Sequence, residues 1–374
     1  MPFADELIGE QTTGQLIAAI AAAAPGNRLP NLRAAAKGMA GLSLRERSDR
    51  LRDGLLADLP GDYAGLARTV RAAAAGPLPF GGWLIWPVTS AVAARAVTDG
   101  TGTAFDDALA LLAELTGRLT SEFAIRVLLD HDLGRALPIV LEWTRSPDEH
   151  VRRLASEGTR AYLPWAKRVP ALLAAPEATV PILTALYRDD SEYVRRSVAN
   201  HLNDLSREHP DLVVATAKAW LASPDATTAK VVRHALRTLV KKGHPGALAL
   251  LGFAPASVTV DGPLLAGAEI PYGGEVAFTA TVVNTGDAAA TLAIDYVVHH
   301  QKANGKQTTK TFKLTTATLA PGDRLELSRR HSFRAITTRR YYPGAHAVEL
   351  QLNGVRSGRA DFELLPPQRA GADS

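Results

Sequence analysis

The feature that most narrows what this chain can fold into is an internal echo. Asp148-Glu149-His150-Val151-Arg152-Arg153-Leu154-Ala155 returns 43 residues later as Ser191-Glu192-Tyr193-Val194-Arg195-Arg196-Ser197-Val198, and a weaker copy, Val232-Arg233-His234-Ala235-Leu236, follows 38 residues after that. Tandem units of about 40 residues are the mark of helix pairs that cannot bury their apolar faces alone and stack on one another instead.

The surrounding texture agrees. The first 250 residues alternate Ala/Leu-rich stretches of helical period with short breaks such as Ser146-Pro147-Asp148 and Ser223-Pro224-Asp225, each read as an N-cap followed by a first-turn proline. The period, the cap and the Val-Arg pair opening the second helix predict an all-α, HEAT-like helical-repeat solenoid over residues 1–253, with the second helices lining a concave wall. After Phe253-Ala254-Pro255 the pattern changes to alternation. Val276, Phe278, Ala280 and Val282, then Leu292, Ile294, Tyr296 and Val298, then Val348, Leu350 and Leu352 read as half-buried strands, and Asn304-Gly305 as a hairpin turn. An all-β immunoglobulin-like sandwich is expected over 255–366, followed by a disordered tail, 367–374.

Several function classes drop out. The chain has no cysteine, which removes disulfides, thiolate nucleophiles and Cys-ligated zinc. No Walker loop, dinucleotide fingerprint, Gly-x-Ser-x-Gly elbow or His-Glu-x-x-His helix occurs, and the adjacent pair His299-His300 would point to opposite faces of a strand. No metal and no cofactor is expected. No apolar run approaches a membrane span, and the acidic start Met1-Pro2-Phe3-Ala4-Asp5-Glu6 lacks the basic residues of an export signal, so a cytoplasmic, monomeric protein is expected. Charge is uneven: Val151 to Leu250 holds 15 Lys or Arg against 9 Asp or Glu, and His299 to Arg340 holds 10 against 2. Two basic zones suit a polyanion.

The densest polar stretch, read as one helix from Val151 to Trp165, places Arg153, Glu157 and Arg160 at i, i+4 and i+7 on one face, as a surface ion-pair ladder or as the wall of a site. One repeat later Asn200 stands where Glu157 stands, with Arg196 and Asp204 one turn to either side; Asn200, Asn203 and Asp204 are read either as wall residues or as helix-end polar groups. Glu122 and Arg126 form a second i, i+4 pair after a cap-like Thr120-Ser121. Trp165 is read as a core anchor or a site aromatic, and Trp83 and Trp86 as core residues or as aromatic surface near a loop. Arg339-Arg340, with His299 to Lys306, would form a basic patch on the sandwich.

Together, Ser121-Glu122-Phe123-Ala124-Ile125-Arg126, Arg153 to Arg160 with Leu163-Pro164-Trp165-Ala166, Val194 to Asp204 and His234 to Gly243 resemble the AlkC branch of the AlkC/AlkD-type DNA glycosylases. That resemblance implies a HEAT-like fold, in some members carrying an immunoglobulin-like domain, that excises cationic alkylated bases, chiefly 3-methyladenine, from duplex DNA without a metal. Carried over residue by residue, it implies Glu122, Glu157, Trp165 and Asp204 as the catalytic set. Arg152, Arg153, Arg160, Arg195, Arg196, Asn200, Lys241, Lys242, Arg339 and Arg340 are then candidate DNA contacts. The alternative is a non-catalytic repeat scaffold that binds DNA or protein through the same wall.

Overall fold

The structure is a computed structural model that describes residues 7–59, 61–335 and 340–367. It divides into two compact units, Met1–Ala235 and Leu236–Ser374. Arg339 and residues 1–6 and 368–374 lie outside the described residues, so the expectations for Arg339, the acidic start and most of the tail are not addressed.

The first unit is a HEAT-like stack of helices from Glu10–Ala23 to Thr228–Ala235. The two strong copies of the echo begin matched helices, Glu149–Gly158 and Glu192–Leu205, which pack side by side; Thr228–Ala235, carrying the weak copy, packs on the second. Each presents a buried apolar stripe to the stack: Val151, Leu154 and Ala155, then Val194 and Val198, then Val231, Val232 and Ala235. Each buried Val or Leu contributes about 1.5 to 3 kcal/mol.

The breaks differ from the expected caps. Asp148, not Ser146, caps the Glu149–Gly158 helix by accepting the His150 N–H at 2.8 Å. Asp225 likewise takes the N–H groups of Thr227 and Thr228, both at 2.8 Å, so each Ser-Pro only delivers the chain to an aspartate.

The first arginine of each copy is a loop clamp. Arg152 Nη1 donates to the carbonyls of Ser146 and Pro147, at 2.9 and 3.0 Å; Arg195 Nη1 donates to those of Asp189, and of Asp190 at 2.9 Å, the same places one repeat on. Arg152 also grips the Asp189 carboxylate at 2.6 and 3.0 Å, tying the first copy to the loop that opens the second. The hydrogen bonds of Arg152 and Arg195 therefore do not support the expectation that they clamp phosphate.

The expected helix from Val151 to Trp165 stops at Gly158. A Cβ on Gly158 would lie 2.8 Å from Ile125 Cγ2, so glycine permits the close approach of the Ile125–His131 helix. From that helix Arg126 reaches over and donates to the carbonyls of Gly158 (3.3 Å), Arg160 (2.8 Å) and Lys167 (2.5 Å). It thus satisfies a helix end and pins the loop beyond it.

The second unit opens with short helices, Arg237–Lys241 and Pro245–Leu250, followed by eight strands among the described residues. These are β1 (Val258–Leu265), β2 (Glu269–Ile270), β3 (Glu275–Asn284), β4 (Ala290–Gln301), β5 (Gln307–Leu319), β6 (Arg324–Ser332), β7 (Gly344–Leu352) and β8 (Val355–Leu364). One sheet runs β1-β3-β6 and the other β2-β8-β7-β4-β5, antiparallel except for β2 and β8. All eleven residues of the three alternating rows are buried between the sheets, and Lys302 to Lys306 turns the β4–β5 hairpin.

The compact division falls at residue 235, before the expected 253, because the short helices lean on the sandwich. Gly243 and Gly354 approach so closely that a Cβ on Gly243 would sit 2.8 Å from Gly354 Cα, and Gln351 Nε2 donates to the Lys241 carbonyl at 3.2 Å. The outer face of β4 is buried too, with Ala293, Asp295, Val297 and His299 all under a tenth exposed. His299 is therefore a strand residue paired with Glu349 at 2.7 Å, not part of an exposed basic loop. Among the described residues no helix is long and apolar enough to cross a membrane.

Candidate active site

Residues from three successive segments of the first unit meet in a line of alternating charge. Glu122 lies in the turn before Ile125, Arg153 and Glu157 on the first echo helix, Arg160 just past its end, and Asp204 near the end of the second. Arg153 Nη1 donates to Glu122 Oε2 at 2.5 Å and its Nη2 lies 3.5 Å from Glu157 Oε1. Arg160 Nη1 donates to the same Glu157 oxygen at 2.5 Å, and its Nε to Asp204 Oδ2 at 2.8 Å. Three carboxylates and two guanidiniums thus form one chain, with every side chain less than a sixth exposed.

The i, i+4 pair expected between Glu122 and Arg126 is not what forms. Glu122 turns to Arg153 and to the Thr120 hydroxyl at 2.9 Å, while Arg126 serves backbone carbonyls. Arg160, expected as a phosphate contact, is buried with its donors committed to Glu157 and Asp204, so it joins two carboxylates rather than presenting a surface charge.

The carboxylates titrate in opposite senses. Burial pushes Glu157 up, but Arg153, Arg160 and the Ser197 hydroxyl, 2.6 Å from Oε2, outweigh it and hold the carboxyl below its ordinary value. For Asp204 burial wins, because Arg160 offsets it only in part, and its carboxyl is raised. A pair of acids pushed apart in this way is what a site needs to keep one firmly ionised. Beneath them His201, fully buried, is pushed down to about 4 by desolvation. It is therefore neutral at pH 7, and since the Ser156 carbonyl 2.9 Å from Nδ1 can only accept, Nδ1 carries the proton and Nε2 accepts from Thr179 at 3.2 Å.

Trp165 is not a core anchor. It is 78% exposed and holds φ at +62°, a left-handed conformation that costs a large side chain energy and persists only where its surroundings impose it. Its carbonyl accepts from Arg45 Nη2. Trp86, by contrast, is buried and stacks on Phe123 with ring centres 4.7 Å apart; Trp83 is half-buried beside it.

Asn200, at the Glu157 position of the second copy, is mid-helix and half-buried, with Oδ1 3.1 Å from His234 Nε2 of the third copy; it does not cap the helix. Arg196 is exposed, and its contact with Glu192 is a long one, 3.4 Å. Lys241, Lys242 and Arg340 are exposed in the second unit, with the Arg340 guanidinium over the Tyr342 ring. Sequence reasoning missed Tyr193 and Ser197. Tyr193 is 42% exposed, with the Arg153 guanidinium 5.2 Å from its ring centre and His150 against its edge. The one available signal was an aromatic at the position that His150 holds in the first copy. Among the described residues no group of three or more metal-ligating side chains is found.

A helical-repeat unit whose wall carries carboxylates strung between arginines, on a chain that also carries an immunoglobulin-like sandwich, defines a class with known members. Residues 114–239 match the family described as DNA alkylation repair enzyme, and residues 259–366 match the C-terminal Ig-like domain of the YhaZ proteins. YhaZ of Bacillus subtilis (strain 168) is 36% identical over 261 residues, covering 70% of this chain and 72% of that one. The structure of Pseudomonas fluorescens alkylpurine DNA glycosylase AlkC, bound to DNA containing an abasic site analog, is 36% identical and superposes with a TM-score of 0.85, covering 98% of this chain and 100% of that one. The chain belongs to the AlkC type of the AlkC/AlkD DNA alkylation repair family.

Proposed function

We propose that the protein is a monofunctional DNA glycosylase that hydrolyses the N-glycosidic bond of cationic alkylated bases, chiefly 3-methyladenine, in duplex DNA. The observation that carries this is Glu157, an ionised carboxylate fixed between two guanidiniums on the wall, in a chain of the same fold as AlkC. A base alkylated at N3 is already positively charged and leaves without a strong acid. What the wall must supply is negative charge beside the oxocarbenium-like sugar and an acceptor for the proton of the attacking water, and carboxylates do both.

In this reading Glu122 and Glu157 face the sugar, Arg153 and Arg160 hold their orientation, and Asp204 fixes Arg160. Trp165 supplies an exposed π-face to the cationic base, worth about 0.5 to 2 kcal/mol over a neutral one. Arg196 on the wall, with Lys241, Lys242 and Arg340 on the second unit, contacts phosphates. The test is chromatography of bases released from methylated duplex DNA. Wild-type protein is expected to release 3-methyladenine; Glu157→Gln and Glu122→Gln are expected to lose at least a hundredfold in rate with DNA affinity within about threefold. Rates unchanged in both variants, with arginine variants weakening DNA binding, would establish a binding scaffold instead.

A further inference from the structure

Next to the carboxylate chain, and unused by it, the first unit holds a cavity of about 500 Å³. Its charged lining is unequal. Arg52 and Asp49 pair with each other at 2.6 Å, which leaves Arg45, Arg126, Lys167 and Arg168 against Asp130. Arg126 is only 3% exposed; its Nε and Nη1 are spent on carbonyls, and its Nη2 is buried without a hydrogen-bond partner. A buried guanidinium donor left unsatisfied is costly, and desolvation pushes this side chain down to about 10, so the position favours an incoming acceptor that carries negative charge. Lys167 and Arg168 follow on the exposed loop that Arg126 pins, and the Trp86–Phe123 stack, with Arg45 5.8 Å from the Trp86 ring, forms an apolar wall.

We propose that this cavity is a phosphate-binding site, with Arg126 as its buried donor and Lys167, Arg168 and Arg45 as its outer cations. Guanidinium and ammonium groups that line one cavity from separate elements suit a tetrahedral oxyanion with acceptors on several sides. The volume exceeds one phosphate and falls in the range of small-molecule sites, so the phosphate enters with a sugar attached, the aromatic stack covering the sugar. The group is either a nucleoside monophosphate or a phosphodiester of a DNA strand. The inference goes beyond the glycosylase reading and does not depend on base release.

The test is calorimetric titration of the full chain with deoxyadenosine monophosphate, with deoxyadenosine and inorganic phosphate as controls. The monophosphate is expected to bind at about millimolar Kd, deoxyadenosine not at all, and the double variant Lys167→Ala/Arg168→Ala about tenfold more weakly than wild type. Arg126→Lys, which keeps the charge but loses the fork, is expected to weaken it as well. Repeating the titration on protein saturated with an abasic-analogue duplex separates the sources. Displacement, together with a salt slope for DNA binding lower by about 2 in the double variant, assigns the phosphate to the strand. Undisturbed binding with an unchanged slope assigns it to a free nucleotide. No saturable binding of monophosphate or inorganic phosphate to about 10 mM, with an unchanged slope in the double variant, would overturn the proposal; base release by wild type would be unaffected by that failure.

Discussion

Replacing Arg160 by methionine asks whether the wall is a desolvated electrostatic device or a solvated ladder. The substitution keeps a long apolar stem but removes donors 2.5 Å from Glu157 Oε1 and 2.8 Å from Asp204 Oδ2, with both carboxylates only 6% exposed. Breaking one partner out of a buried ion pair costs about 3 to 5 kcal/mol. The lower end applies here, because Glu157 retains Arg153 and Ser197. The pH dependence has a definite sign. In the wild type the depressed Glu157 contributes stability that is present above its unfolded pKa and lost as pH falls through the folded one. In the variant both carboxyls lose Arg160 and titrate higher than in the wild type, so the deficit grows as pH rises through their pKa values and fades as both become protonated. The deficit at pH 7.5 should therefore shrink at pH 4.5, by about 1.4 kcal/mol for each unit of the upward pKa shift that lies above 4.5. Urea unfolding followed by tryptophan fluorescence reads this directly, since all five tryptophans lie between residues 83 and 220 and report only the first unit. A deficit under about 1 kcal/mol at pH 7.5, or one that does not change with pH, would refute the reasoning and return the chain of charges to the surface.

Gly158→Ala should destabilise the first unit by about 1 to 2 kcal/mol, because the overlap with Ile125 Cγ2 exceeds the gain in helix propensity, and Ile125→Leu, which removes that methyl, should restore most of it in the same unfolding assay. The two arginines of the second echo should separate cleanly. Arg195→Met should cost about 1.5 to 3 kcal/mol of stability through its lost carbonyl contacts, whereas Arg196→Ala should leave stability within about 0.5 kcal/mol and lower the salt slope of DNA binding by about 1. Burial raises Asp295 to about 6 against the pull of Lys313 and Lys241, so the folded sandwich is penalised as pH rises through 6. Asp295→Asn should stabilise it by about 2 kcal/mol at pH 7.5 and by nothing near pH 4, read as the melting temperature of the β-sheet signal in circular dichroism.

What was legible in the sequence was whatever repeats over a short distance. The alternating rows around Phe278, Tyr296 and Leu350 needed only neighbours two residues away, and the echo at Val151 and Val194 needed only a copy of itself. The nearness of Glu157 and Asp204 was legible in the same way, since the repeat registers Glu157 with Asn200, one turn before Asp204. What stayed hidden depends on contacts between repeats, which have no period. Nothing local tells Arg126 to serve the carbonyls of residues 158, 160 and 167 rather than Glu122, or tells Glu122 to choose Arg153, 31 residues away. Arg152 and Arg153 are identical letters; one faces its own loop and the other the wall because a helix turns by about 100° per residue. Trp165 stayed open between core and site for a related reason: apolar size favours the core, and only the backbone conformation at 165 accompanies the exposed ring.

The charge sequence of the wall bears on why these groups are retained at all. Buried ion pairs stabilise less than well-packed apolar side chains of equal volume, so leucine or methionine at 153, 157, 160 and 204 would serve the solenoid at least as well. The arrangement found is also unequal: three carboxyl groups stand on two guanidiniums, and Arg153 and Arg160 hold Glu157 below its ordinary value, in its charged form. It sits in a stretch with 15 basic residues against 9 acidic ones, from Val151 to Leu250. On the proposed reaction these two facts divide the labour. The basic surroundings hold phosphates of any sequence, damaged or not, while the local negative spot gains energy only when positive charge appears beside it, as a cationic base or as the sugar that base leaves behind. Discrimination then resides in the charge of the lesion rather than in its shape, and a wall of fixed ion pairs, unlike an apolar one, can exert it without closing around the base.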